Sequence, residues 1–133
     1  MAQKEVIAFG PFKDFIADGV RMGDTIHLSG SVSVDDRGQT LHAGDIVKQA
    51  QQAYAHIAKV LERFGATMDN IAYETLFLTD MSAVMGSEDK MGALFGARAE
   101  AYGGNPQVSQ SLIGVKELAA PDLMIEIQVV AHV

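Results

Sequence analysis

The sequence lacks cysteine altogether and contains only three prolines among its 133 residues. Without cysteine, disulfide bonds, thiolate metal ligands and a cysteine nucleophile are all excluded. The chain also lacks any apolar run of the roughly 18 residues that a membrane-spanning helix needs, and its N-terminus has no basic region followed by an apolar core. We therefore expect a cytoplasmic protein without a membrane partner.

Basic residues are scarce as well, with 10 lysines and arginines against 17 aspartates and glutamates, a net charge of −7 and a pI near 4.9. This charge repels phosphate backbones, and no cluster of basic residues offsets it locally. Nucleic acid is therefore not an expected partner, and we interpret the acidic excess as a solvated surface.

Apolar residues, by contrast, are plentiful, at 48% of the chain against 20% charged residues. This composition argues against disorder, and a chain of 133 residues is long enough to bury a core. We expect a single domain that covers residues 1–133.

The spacing of apolar residues predicts secondary structure in the order β-β-β-α-β-α-β-β. The predicted strands cover residues 5–10, 19–22, 25–33, 71–78, 109–113 and 123–130, and the predicted helices cover residues 45–64 and 81–102. Two helices packed against one mixed or antiparallel sheet give an α+β fold.

The two predicted helices differ in the strength of their signals. In the first, apolar residues recur at three- and four-residue intervals from Ile46 to Phe64, and Gly65 is predicted to end it. The second begins after Asp80 but carries glycine at positions 86, 92 and 96, each of which weakens a helix by up to about 1 kcal/mol relative to alanine. Core packing is predicted for Tyr73 and Phe77 on the preceding strand and for Met91, Leu94 and Phe95 on the second helix.

One carboxylate, Glu126, interrupts the apolar run of the last predicted strand. A carboxylate in such a position is costly unless it is paired, hydrogen-bonded or directed into a cleft. Two interpretations follow. In one, Glu126 is structural and either pairs with a lysine or arginine or hydrogen-bonds backbone groups across a subunit boundary. In the other, it is a general acid/base whose pKa is raised by desolvation.

The remaining polar residues give weaker signals. The histidines have no pair at metal-ligand spacing, so we predict no metal site and interpret each of His27, His42, His56 and His132 as a surface or satisfied residue. No Rossmann glycine fingerprint is present either. Ser29, Ser109 and Ser111 lie outside any nucleophile-elbow motif, which favours strand hydroxyls over nucleophiles.

Several short motifs in register resemble the RidA (YjgF) family. They are the segment from Arg21 to Gly30 with the sequence RMGDTIHLSG, the Gly44-Asp45 pair before the long helix, the FLTDM segment at residues 77–81, and the IEI segment at residues 125–127. The resemblance covers residues from about 20 to 130.

The resemblance implies a chorismate-mutase-like α+β protomer that assembles as a homotrimer, with small-molecule clefts at the subunit interfaces. It also implies hydrolysis of enamine and imine intermediates of amino-acid metabolism without a metal or an organic cofactor. In the family an arginine holds the substrate carboxylate.

Transferring the family's site to this sequence gives a mixed result. Glu126 matches the acidic residue of the last strand and is the predicted catalytic residue, while Ser29 and Gly30 match the backbone that borders the cleft. Gln110 occupies the arginine position and Ile16 the aromatic position, and both are predicted to bind substrate. Because glutamine has neither the charge nor the planar fork of arginine, 2-iminoacid deaminase activity is expected to be weak or absent.

Two functions therefore stay open from the sequence. One is a divergent hydrolase or deaminase that acts on a non-standard small metabolite, with Glu126 transferring protons. The other is a non-catalytic protein that binds a small molecule or regulates through it. Ribonuclease activity, which has been attached to some relatives, is disfavoured by the net charge of −7.

Overall fold

The computed structural model describes residues 3–133 and contains nine helices and strands, apart from one short 3₁₀ turn at Met68–Asn70. The strands are β1 (Lys4–Ile7), β2 (Gly19–Met22), β3 (Thr25–Leu28), β4 (Ile71–Leu78), β5 (Ser109–Gly114) and β6 (Ile125–His132). The helices are α1 (Ile46–Arg63), α2 (Met81–Met85) and α3 (Glu88–Ala101).

The strands form one mixed sheet in the order β1-β2-β3-β6-β4-β5. Only β4 and β5 run parallel, and every other neighbouring pair is antiparallel. The last strand, β6, lies in the middle of the sheet, where it joins the N-terminal strands to β4. The predicted α+β class with helices on one sheet is confirmed.

The helices cover one face of the sheet. Alternate residues of the two central strands are fully buried beneath them, namely Leu76, Leu78, Ile125 and Ile127. α1 contributes a buried apolar stripe that includes Tyr54, Ile57 and Leu61. Strand side chains alternate between faces, so the periodicity of α1 and the alternation of β4 and β6 together determine which face is the core.

The opposite face of the sheet, here called the open face, exposes several large apolar side chains. Val6, Met22, Tyr73 and Ile113 lie on it with exposed fractions of 38–52%. The prediction that Tyr73 and Phe77 pack in the core was wrong for this reason: Glu74 faces the helices, so Tyr73 and Phe77 alternate to the open face.

The structure also corrects the bounds of two predicted elements. The helix predicted over 81–102 is divided, because α2 ends at Gly86 and Ser87 adopts an extended conformation as the N-cap of α3, where its hydroxyl accepts from the Lys90 N–H. The strand predicted over 25–33 ends at Leu28, because the next two residues turn away from β6.

The predicted end of α1 is confirmed. Gly65 has a φ of +75°, and the following Ala66 N–H donates to the carbonyl of Leu61 at 2.9 Å, which is the pattern of a Schellman motif. At the other end, the Asp45 side chain caps the helix by accepting from the Lys48 N–H at 3.0 Å.

Within residues 3–133, no helix is long and apolar enough to cross a membrane.

We predict opposite effects for alanine at two glycines that both leave free space for a methyl group. Nothing lies within 4 Å of a Cβ built at Gly65 or at Gly92. Gly65→Ala should destabilise by about 1 kcal/mol because its φ is positive, whereas Gly92→Ala, inside α3, should stabilise by about 0.5–1 kcal/mol. Urea denaturation of the two variants measures both changes, and effects of the same sign would contradict the prediction.

Candidate functional site

A cavity of about 490 Å³ opens where the segments 9–18 and 29–36 meet α1 and β6. It is called the Glu126 cavity here. Its lining includes Ile16, Ser29, Gly30 and Glu126, so the fold brings together four of the five residues predicted from the sequence. Ile16 is 54% exposed, which is consistent with a place at the rim of the cavity rather than its floor.

The cavity exists because β3 and β6 separate after Leu28. The Ser29 backbone N–H donates to the Asp18 carbonyl at 3.0 Å, and the Ser29 hydroxyl donates to the Ala17 carbonyl at 2.6 Å. Pairing with β6 resumes only at Ser31, which exchanges backbone hydrogen bonds of 2.7 and 2.9 Å with Ile127. Ser29 and Gly30 are thereby withdrawn from the ladder and line the cavity with backbone.

Gly30 lies directly against the Glu126 carboxyl group. A Cβ built at Gly30 would lie 2.7 Å from the Glu126 Cδ atom and still closer to one carboxylate oxygen, a distance that real Cβ atoms do not adopt. Glycine at position 30 therefore leaves the space that the Glu126 side chain occupies.

Glu126 is half-buried, and within residues 3–133 no hydrogen bond or ion pair holds its carboxyl group. Burial raises the pKa of Glu126, with no compensating charge. Within residues 3–133 no lysine or arginine pairs with Glu126, and a structural role of Glu126 across a subunit boundary stays a prediction. A cavity-facing carboxyl with a raised pKa has the properties that general acid/base chemistry requires, and the catalytic role itself stays a prediction.

A second titratable pair lines the same cavity. His56 Nε2 lies 3.0 Å from Asp18 Oδ1. Burial raises the pKa of Asp18, but hydrogen bonds from the Gly10 and Phe9 N–H groups and the contact with His56 outweigh it and lower the pKa overall. The sequence interpretation missed this pair because 38 residues separate its members, and the histidines were tested only for metal-ligand spacing.

The charge of the cavity is predominantly negative. Its lining includes four carboxyl groups, those of Asp18, Asp35, Asp36 and Glu126, and a single lysine, Lys59. No arginine belongs to the lining in the part of the chain that the structure describes. Because like charges repel in a partly enclosed site, this arrangement disfavours a ligand carboxylate. Apolar side chains, including Phe9, Phe12 and Val34, complete the wall.

Gln110 does not join the other four predicted residues within this chain. Its Nε2 atom donates to Glu74 Oε2 at 2.6 Å, and Glu74 faces the helices. In the register of β4 and β6, Glu126 lies opposite Phe77, and Phe77 is on the opposite face of the sheet from Glu74. Gln110 and Glu126 are therefore directed to different faces of the sheet. The substrate-binding role of Gln110 depends on a neighbouring copy of the chain and stays a prediction.

Glu74 is fully buried and accepts hydrogen bonds from four side chains. Besides Gln110, the donors are the Tyr54 hydroxyl at 2.9 Å, the Tyr102 hydroxyl at 2.7 Å and Arg98 Nε at 2.5 Å. Burial, followed by the charge of Glu74, raises the pKa of both tyrosines, so they remain neutral donors. We call this group the Glu74 cluster, and its saturated hydrogen bonds indicate a structural role.

The family described as Endoribonuclease L-PSP matches residues 6–133, nearly the whole chain. The chain belongs to this family. The match confirms the predicted membership of the RidA (YjgF) group, since solved structures of the same fold carry the names YjgF and Rid.

Three relatives illustrate the extent of the similarity. A 2-iminobutanoate/2-iminopropanoate deaminase from Dermatophagoides farinae is 28% identical over 109 residues, which cover 82% of this chain and 76% of the relative. The Mycobacterium tuberculosis protein Rv2704, of the YjgF/YER057c/UK114 family, superposes with a TM-score of 0.79 at 24% identity, covering 98% and 100% of the two chains. The Yersinia pestis Rid-family protein YyfA gives 0.80 at 25% identity, with the same coverage. These neighbours confirm the chorismate-mutase-like fold.

Removal of the Glu74 carboxylate is predicted to be strongly destabilising. Glu74→Ala would leave the Arg98 charge, 12% exposed in its side chain, without its buried partner. Breaking a buried ion pair on one side costs about 3–5 kcal/mol. Urea denaturation measures the loss.

The matched control for this variant is Glu62→Ala, which removes an exposed carboxylate from α1 and should change stability by no more than about 0.5 kcal/mol. If Glu74→Ala and Glu62→Ala unfold at the same urea concentration, the structural role of the Glu74 cluster is refuted.

Proposed function

We propose that this protein is a Rid-type hydrolase that deaminates a small imine or enamine in the Glu126 cavity without a cofactor. The observation that carries the proposal is the Glu126 carboxyl group, half-buried, unpaired within the described chain and accommodated by Gly30. A similar protein from Dermatophagoides farinae is named as a 2-iminobutanoate/2-iminopropanoate deaminase, which supports the reaction class.

The chemistry of imine hydrolysis suits such a group. Water adds to the C=N carbon, and the nitrogen must gain protons before it can leave as ammonia. A carboxyl group whose pKa is raised by burial holds and releases a proton closer to neutral pH than an exposed one. Glu126 can therefore exchange protons with the attacking water and with the leaving nitrogen.

The substrate is proposed to lack a carboxylate. The cavity lining of the described chain carries four carboxyl groups and no arginine, and the Gln110 amide is engaged by Glu74. Loss of one charged hydrogen-bonded pair from a partly buried site costs about 2–5 kcal/mol of affinity. Imines of simple amines are therefore proposed as better substrates than 2-iminoacids.

Cleavage of RNA is not proposed, although the family description contains the word endoribonuclease. The net charge of −7 and the acidic lining of the cavity both oppose the approach of a phosphate backbone. Uncharged small molecules carry no such penalty.

The assembly is proposed to be a homotrimer with its clefts at the subunit interfaces. The apolar side chains of the open face support this proposal, with Val6 and Met22 at one side of the sheet and Tyr73 and Ile113 at the other, because exposed large apolar side chains that share one face are a common feature of interfaces. A neighbouring copy would also add residues to the clefts.

Replacement of the Glu126 carboxyl group is predicted to abolish most of the hydrolase activity. Imines can be generated in situ from butylamine by an amine oxidase, and from 2-aminobutanoate by an amino-acid oxidase, with semicarbazide trapping of the residual imine as the measurement. The protein should accelerate loss of the amine-derived imine more than that of the 2-iminoacid. Glu126→Gln should lower kcat/KM by about 10²–10⁴-fold, the usual contribution of a general acid/base.

Gly30→Ala should cause a similar loss, since the new methyl group displaces the Glu126 carboxyl, whereas Glu62→Gln on the exposed face of α1 is the matched control and should retain full activity. Rapid 2-iminoacid hydrolysis that is lost in Gln110→Ala would contradict the proposed substrate class. Tight binding of the imines without turnover would favour the alternative of a binding protein.

Assembly is tested separately by multi-angle light scattering of the purified protein. The expected mass is three times the 14.2 kDa of one chain. Met22→Lys, which places a charge on the open face, should lower the mass, because burial of an unpaired charge is unfavourable at an interface. A wild-type mass of one chain would refute the trimer.

A further inference from the structure

His56 and Asp18 form a rigid pair at the wall of the Glu126 cavity. His56 belongs to α1 and its side chain is 29% exposed, while Asp18 precedes β2. The Asp18 Oδ1 atom contacts His56 Nε2 at 3.0 Å. The Oδ2 atom accepts from the Phe9 N–H at 2.7 Å and from the Gly10 N–H at 2.8 Å, so both carboxylate oxygens have fixed partners.

The Asp18 carboxylate selects one tautomer of the histidine. Its lowered pKa keeps Asp18 ionised at neutral pH, and an ionised carboxylate only accepts hydrogen bonds. Nε2 of His56 must therefore carry the proton, which leaves the lone pair of a neutral imidazole on Nδ1. Within residues 3–133, the only hydrogen bond of the His56 side chain is the one from Nε2, and none engages His56 Nδ1.

The imidazole ring is also held by packing. The Phe9 ring lies 5.6 Å from it at an interplanar angle of 42°, and the Arg63 guanidinium stacks 4.4 Å above the Phe9 ring. His56 lines the cavity, and a carboxylate that orients a histidine whose second nitrogen has no hydrogen-bond partner is an arrangement in which histidine can act as a general base.

We propose that His56 is a second proton-transferring residue of the Glu126 cavity, with Asp18 as its positioning residue. This inference rests on the proposed hydrolase function and deepens it, because hydrolysis of an imine requires protons to move at two atoms of the substrate. Glu126 alone would have to serve both the oxygen and the nitrogen. Two groups on the wall of one cavity divide that task.

The first half of the reaction forms the carbinolamine. A C–O bond forms between water and the imine carbon, and the water proton moves to Nδ1 of neutral His56. The π electrons of the C=N bond move to nitrogen, which takes the proton of the Glu126 carboxyl group. The products are a neutral carbinolamine, an imidazolium and a carboxylate.

The second half releases ammonia and restores both groups. The His56 imidazolium returns its proton to the nitrogen, the C–N bond breaks, and ammonia leaves. The hydroxyl proton moves to the Glu126 carboxylate as the C=O bond forms. The sum is imine and water to carbonyl compound and ammonia, with no oxidant, reductant or other reactant.

A purely structural alternative is that the pair only fastens segment 9–18 to α1. His56→Gln tests this alternative, because glutamine can still donate to Asp18 but cannot accept and release a proton. His56→Gln should keep its thermal midpoint and its KM for the butylamine-derived imine, whereas kcat should fall by about 10²-fold or more. Retention of kcat within about twofold would overturn the proposal.

Chemical rescue supplies a readout that packing does not affect. In His56→Ala, added imidazole should raise kcat at least about tenfold, and the same imidazole should leave Glu126→Gln unchanged. Absence of rescue in a folded His56→Ala would overturn the assignment of His56. A wild-type protein without any imine turnover would instead refute the proposed hydrolase function, and with it the role of His56.

Histidine ring NMR on the wild-type protein keeps the inference testable if the variants fail to fold. The expected spectrum has His56 as the Nε2–H tautomer, with an Nδ1 resonance that shifts on addition of butanamide, a neutral and unreactive analogue of the substrate. An Nδ1–H tautomer, or an Nδ1 resonance that butanamide leaves unchanged, would overturn the proposal.

Discussion

The buried carboxylate of Glu74 is the interaction on which the layered structure depends. A fully buried charge is tolerated only when hydrogen bonds replace its hydration. Here the donors come from α1, from α3 and the residue that follows it, and from β5. Tyr54, Tyr102, Arg98 and Gln110 converge on its two oxygens. Both long helices and the parallel edge strand are thereby held to β4 at one point.

The candidate site arises where the regular pairing of two strands is interrupted. Between β3 and β6 the ladder breaks at Ser29 and Gly30, and the missing side chain at residue 30 leaves room for the Glu126 carboxyl. The same interruption draws Asp18 towards α1, where it meets His56. The packed core around Glu74 and the break in strand pairing at Gly30 together place Asp18, His56 and Glu126 beside a cavity without burying them completely.

Much of the fold and part of the site could be predicted from the sequence, since these signals are local. The periodicity of α1, its end at Gly65 and the bounds of β4 depend on neighbouring residues only. The anomaly of Glu126 in an apolar strand was equally visible. The division between α2 and α3 was not, because the weakening effect of a glycine does not reveal whether the helix continues past it.

The sequence by itself determined the α+β class, the family and the position of Glu126 as a carboxylate in an apolar strand, because apolar periodicity and short motifs are properties of the chain. Only the tertiary structure decided which residues meet. It paired Gln110 with the buried Glu74 and separated it from Glu126, and it joined Asp18 to His56. Strand register and helix packing determine these contacts, and neither is encoded in the spacing of one segment.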